Sequence, residues 1–122
     1  MEITQVKKKS LLVLVTGDPR FTETVAEALR LAAGVAVWKR FSVNVCLIGP
    51  AVLACGERAD DLPQGKLIQH FIPMIRESGG EIFLKPDGQP LDELDPEWVL
   101  TQVIKVERLA QLAADADRVF RF

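Results

Sequence analysis

The sequence is poor in the residues from which catalytic and metal sites are usually built. Its 122 residues include two cysteines, Cys46 and Cys55, and a single histidine, His70. No Cys-x-x-Cys pair occurs, and one histidine cannot complete a zinc site with two separated thiols. Two cysteines do not make a disulfide framework in a domain of this size. The expectation is therefore no metal and no cofactor. Long hydrophobic runs are also missing: none approaches the roughly 20 residues needed to span a bilayer. The N-terminus shows no cationic start followed by an apolar stretch and a small-residue cleavage site. These absences predict a cytoplasmic protein without a membrane partner. A strong charge of either sign is lacking as well, the net charge being −2. Nothing here attracts nucleic acid phosphates or anionic lipid in general. The run Lys7-Lys8-Lys9 is too short to change that and reads as a solvated lead-in to a buried strand.

What is present fits one domain over residues 1–122, with 48% apolar and 26% charged residues, ordinary for a globular chain. Residues 1–9 are mixed and either extend the first strand or stay loose. Residues 10–16 are a continuous aliphatic run ending in Gly17-Asp18-Pro19, the texture of a strand buried on both faces in a parallel sheet. Asp18 or Thr22 can cap a helix that continues to about Trp38. Its second half, Leu31 to Trp38, carries no charge. A helix apolar all round must be covered all round, so a second subunit is an expected cover for the side away from the sheet.

Phe41–Ile48 reads as a second strand, with Gly49-Pro50 starting a short helix that stops near Cys55-Gly56, where the glycine can take a left-handed conformation. Residues 57–65 read as a polar loop. A helix over about residues 66–77 follows, which Pro73 should kink or divide. Gly79-Gly80 ends it, and Glu81–Lys85 is a third strand. After the turn-rich Pro86-Asp87-Gly88-Gln89-Pro90, Asp95-Pro96-Glu97 opens another helix. Between Trp98 and Val106 the spacing fits helix or strand equally. Residues 107–114 read as helix and 118–122 as the last strand. Alternation of this kind predicts an α/β fold, a three-layer α/β/α sandwich on a mainly parallel sheet of about five strands. Its core should include Leu12, Leu14, Leu29, Val45, Leu47, Ile72, Phe83 and Val119.

The loop Thr16-Gly17-Asp18-Pro19-Arg20 falls at the carboxyl end of a strand, where open α/β sheets bind ligands. It matches neither a dinucleotide fingerprint nor a P-loop, and Asp18 would repel phosphate. A capped turn explains it, although Arg20 could hold an anion. Cys46 lies within an aliphatic strand and reads as inert core. Cys55 follows the second strand with glycine beside it, but at a helix C-terminus, where the dipole disfavours a thiolate. Arg58, three positions on, is the cation that could fold back toward its sulfur. His70 has no serine or cysteine near it in sequence to form a dyad and reads as a surface or interface residue. The carboxylates Asp60-Asp61 and Asp92-Glu93-Asp95 suit caps and turns, not a calcium loop. Trp38 and Trp98 read as core or contact residues.

The strand Leu11–Val15, the alanine-rich helix Val25–Val37 and the strand Val43–Ile48 followed by Gly49-Pro50-Ala51-Val52 form one pattern with the ending Leu109–Phe122. That pattern resembles the DsrE/DsrF-like sulfur-relay family, which includes the TusBCD and DsrEFH complexes. Active members carry a persulfide-forming cysteine just after the strand equivalent to Glu81–Lys85. Here the stretch reads Leu84-Lys85-Pro86-Asp87-Gly88 and has no cysteine. The resemblance therefore implies a non-catalytic or divergent member, a binding or scaffold subunit that assembles with itself or with related sulfur-relay subunits. Two alternatives stand beside it. One is a sulfurtransferase-type carrier using Cys55 as the persulfide cysteine. The other is a small-molecule- or anion-binding domain using Thr16, Gly17 and Arg20 with Pro86 and Asp87.

Overall fold

Five consecutive apolar residues, Leu11 to Val15, can all be buried only if their strand has cover on both faces. In the computed structural model, which describes residues 8–122, all five are buried. Residues 1–7, and with them most of the expected N-terminal extension, lie outside the described residues. The strand β1 (Lys9–Val15) alternates its side chains between two cores. Leu11, Val13 and Val15 enter the larger core, and Leu12 and Leu14 the smaller one.

Four parallel strands form the sheet, in the order β3-β2-β1-β4, with β2 at Phe41–Ile48, β3 at Glu81–Lys85 and β4 at Arg118–Arg121. The path from β1 outward to β3 passes through α1 (Thr24–Trp38) and α2 (Gly65–Glu77), which line the larger core. The chain then returns past β1 to β4 through α3 (Pro96–Gln102) and α4 (Val106–Asp115). Reversing the direction of travel under a right-handed crossover rule sends the connection to the opposite face. Accordingly α4 lays Leu109 and Leu112 against Leu12, Leu14 and Cys46. The three-layer α/β/α sandwich results.

Among the described residues the sheet has four strands, and a fifth is not formed. The ambiguous segment after Trp98 is helical to Gln102 and then makes one parallel bridge, Val103 to Leu84, with Ile104 N–H donating to Leu84 O at 2.8 Å. Gln102 adds a side-chain bond from Nε2 to Ile82 O at 2.6 Å. The outer edge of β3 is thus covered by a patch of chain instead of a strand. Two core assignments also change. Val119 is exposed and Phe83 only partly buried, because β4 is an edge strand and Phe83 faces the smaller core. Ile82 and Leu84, on the other face of β3, are the fully buried pair.

Local features bear on three further expectations and overturn the last of them. Helix α1 begins at Thr24 without a side-chain cap, although the Thr22 hydroxyl accepts from Thr24 N–H at 3.2 Å. Pro73 does not divide α2. Gly56 is extended, and the left-handed glycine of that connection is Gly49, at φ 60°. In α1 the alanines Ala28, Ala32, Ala33 and Ala36 are buried, while Leu31, Val37 and Trp38 face outward.

Candidate functional site

The carboxyl ends of β1, β2 and β3 lead into three connections whose residues were singled out in the sequence. After β1, Thr16 donates from both N–H (2.9 Å) and Oγ1 (3.1 Å) to Phe122 O, which ties this loop to the end of the chain. Gly17 packs closely against Thr22: a Cβ there would lie 3.0 Å from the threonine methyl. Asp18 accepts from Arg20 at Nε (3.0 Å) and Nη2 (2.8 Å). These bonds hold the Asp18 carboxyl below its usual range and raise the guanidinium pKa in return. Arg20 is thus already engaged by a carboxylate within its own loop.

After β2 the chain forms a 3₁₀ helix, Gly49–Cys55, buried along most of its length. Its end is covered by a strip of backbone, Leu91–Asp95, that follows β3. Gly56 and Leu94 form an antiparallel bridge, Glu57 N–H donates to Glu93 O at 3.2 Å, and Asp95 N–H to Cys55 O at 3.4 Å. A Cβ on Gly56 would lie 3.0 Å from Glu93 O. The glycine therefore admits the strip and does not open a route to the thiol.

Cys55 is 5% exposed, and burial pushes its thiol far above the ordinary value. The cation that acts on it in the opposite sense is Arg76 of α2, not Arg58. The Arg76 guanidinium sits 4.6 Å from the centre of the Trp98 ring, and Trp98 with Asp95, Ile72 and Pro73 encloses a recess of about 200 Å³ beside Cys55. Cys46 is fully buried on the other face of the sheet, and desolvation pushes its thiol up to about 12. Both cysteines are free.

Arg58 instead lines a larger cavity, of about 410 Å³, with Arg20, Glu57, Asp92 and Glu93 around an apolar floor of Leu53 and Leu62. This recess at the carboxyl end of the sheet joins Arg20 to the connections after β2 and β3, a grouping that sequence spacing does not reveal. Among the described residues the only ion pairs are Arg20–Asp18 and Lys85–Asp87. Arg58, Glu57, Asp92 and Glu93 thus form no ion pair there. With Arg20 engaged by Asp18, three carboxylates face one unpaired guanidinium, a balance that disfavours a simple anion. No cysteine, serine, threonine, lysine or histidine lines this cavity, and His70 is exposed beside a different recess on α2, near Val37 and Met74.

Pro86 and Asp87 do not join that cavity. They form a tight turn with positive φ at Asp87 (48°) and Gly88 (93°), closed by Gln89 N–H donating to Pro86 O at 3.1 Å. Lys85 pairs with Asp87 within the same turn. The turn is therefore closed on itself by backbone and by charge. Among the described residues no cluster of three His, Cys, Asp or Glu side chains could hold a metal ion. No helix there is long and apolar enough to cross a membrane.

No family model and no curated protein matches the chain. Among solved structures, the chain is similar to the ychN protein from E. coli, at 21% identity and a TM-score of 0.70. The match covers 93% of this chain and 99% of that one, and it is a likeness of fold.

Proposed function

We propose that this chain is a DsrE/DsrF-like protein acting as a non-catalytic binding or scaffold subunit of a sulfur-relay assembly, joined to copies of itself or to related subunits. The observation that carries this reading is the turn after β3. The resemblance puts the persulfide cysteine of active members there, and this chain has a closed Pro86–Gln89 turn without a thiol. The likeness of fold to the ychN protein is in keeping with it. Burial of both cysteines supports it too, since sulfur transfer requires an accessible thiolate. The outward Leu31, Val37 and Trp38 of α1 support assembly.

Incubating the reduced protein with a sulfur-loaded cysteine desulfurase tests the reading. Intact-mass spectrometry should show no added sulfur. A gain of one sulfur that disappears in Cys55→Ser would replace the scaffold role with that of a Cys55 sulfur carrier.

A further inference from the structure

The two edges of the sheet are treated differently. The outer edge of β3 is closed by Gln102, Val103 and Ile104. The outer edge of β4 has no strand partner among the described residues, and all four of its residues are exposed, with Val119 at 46% and Phe120 at 45%. An open edge bearing apolar side chains is a template for another strand. We infer that β4 pairs antiparallel with β4 of a second copy, about a two-fold axis at Phe120, to make one continuous eight-stranded sheet. The inference rests on the proposal that the chain assembles with itself, and it names the surface.

Hydrogen-bond direction along β4 selects the register. Phe122 N–H donates to Leu14 O at 2.8 Å, and Phe122 O accepts from Thr16 N–H at 2.9 Å. A parallel ladder repeats every second residue, so Arg118 and Phe120 also turn their peptide groups toward β1. Val119 and Arg121 then turn theirs outward. With the axis at Phe120, Val119 of one copy faces Arg121 of the other, and these two pairs exchange four hydrogen bonds that use every outward group. Phe120 meets its own counterpart at the non-hydrogen-bonded position, where side chains approach most closely. Arg118 lies across from Phe122, a cation over an aromatic ring.

Neighbouring registers are worse. An axis at Val119 pairs Arg121 with Asp117, whose N–H already donates to Ser10 O at 2.9 Å. An axis at Arg121 sets two guanidiniums directly opposite, which is destabilising. A head-to-tail arrangement would need β4 to dock on β3, and that edge is closed. The contact is therefore isologous and ends with the pair.

Single-cysteine crosslinking reads the register directly, because Cys46 and Cys55 are both buried. Across the axis, position 120 has a Cα separation of about 4.5 Å, inside the disulfide range. Position 119 is offset by two residues, which puts its Cα atoms more than roughly 8 Å apart, outside that range. Under mild oxidation Phe120→Cys should form at least about tenfold more crosslinked dimer than Val119→Cys. In sedimentation equilibrium the wild type should have a mass that is an even multiple of 13.5 kDa. Phe120→Glu should halve that mass while leaving the circular dichroism spectrum unchanged. If the wild type is oligomeric but Phe120→Glu leaves its mass intact, or Val119→Cys crosslinks as well as Phe120→Cys, the β4 pairing is wrong and self-assembly stands. A wild type that is monomeric at every concentration overturns both.

Discussion

Two thiols held neutral by burial make the protein's stability sensitive to alkali, and the size of the effect follows from the structure. An unfolded cysteine ionises near pH 8.5. In the folded chain Cys46 does so only at about 12, and Cys55 is also pushed far upward, in both cases chiefly by desolvation. Below about pH 8.5 the two states bind the same thiol protons and this contribution to stability is complete. Above it the unfolded chain releases two protons that the folded chain retains, so unfolding becomes easier. Each retained proton is worth about 1.4 kcal/mol per pH unit, so the pair gives a limiting slope of about 2.7 kcal/mol per unit. At pH 10 the accumulated loss is about 4 kcal/mol, a large share of the roughly 5–15 kcal/mol that holds a domain together. The sequence has no tyrosine, so no phenol confuses the titration. Urea denaturation at intervals from pH 7 to 10.5 should show the midpoint falling from about pH 8.5 upward. Cys46→Ala or Cys55→Ala should each halve the slope, whatever it costs at neutral pH. A wild-type midpoint that is flat to pH 10 would mean that the folded protein ionises its thiols normally, and the account of both cysteines as buried would fail.

Two substitutions test the backbone economy of the fold. Lys39 ends α1 in the left-handed region at φ 59°, so Lys39→Gly should stabilise the protein by about 0.5–1 kcal/mol in the same urea assay. A loss of stability would contradict the strain assigned to that residue. Gln102→Leu removes the 2.6 Å bond to Ile82 O on the covered edge of β3 and should cost about 1–3 kcal/mol. A neutral result would show that this carbonyl finds another partner.

Much of the fold was legible because it depends on neighbours in the sequence. The run Leu11–Val15 declares a two-faced strand, Phe41–Ile48 stops at Gly49-Pro50, Glu81–Lys85 stands between Gly79-Gly80 and Pro86, and Asp95 before Pro96 marks a helix start that the Asp95 carboxylate caps by accepting from Glu97 N–H at 3.0 Å. The errors lie where tertiary placement decides. Val119 has the aliphatic character of a core residue, yet β4 is at the rim, and no local pattern tells a rim strand from a central one. The segment after Trp98 was ambiguous because it does two things in turn, a helix to Gln102 and then a single bridge at Val103.

The state of Cys55 shows the same limit at the candidate site. Its neighbours in sequence, a 3₁₀ helix before it and glycine after it, would leave a thiol at the rim of the sheet open to approach. Its cover comes from some forty residues further on, where Leu94, 1% exposed, anchors the strip that bridges Gly56. Gly56 borders both recesses at this end of the sheet, the one beside Cys55 and the one lined by Arg20 and Arg58. One strip of backbone, Leu91–Asp95, therefore borders both recesses, contributing Asp95 to the one beside Cys55 and Asp92 and Glu93 to the charged cavity. The cover over Cys55 is thus owed in part to a connection remote from it in sequence, which no local pattern around Gly56 announces.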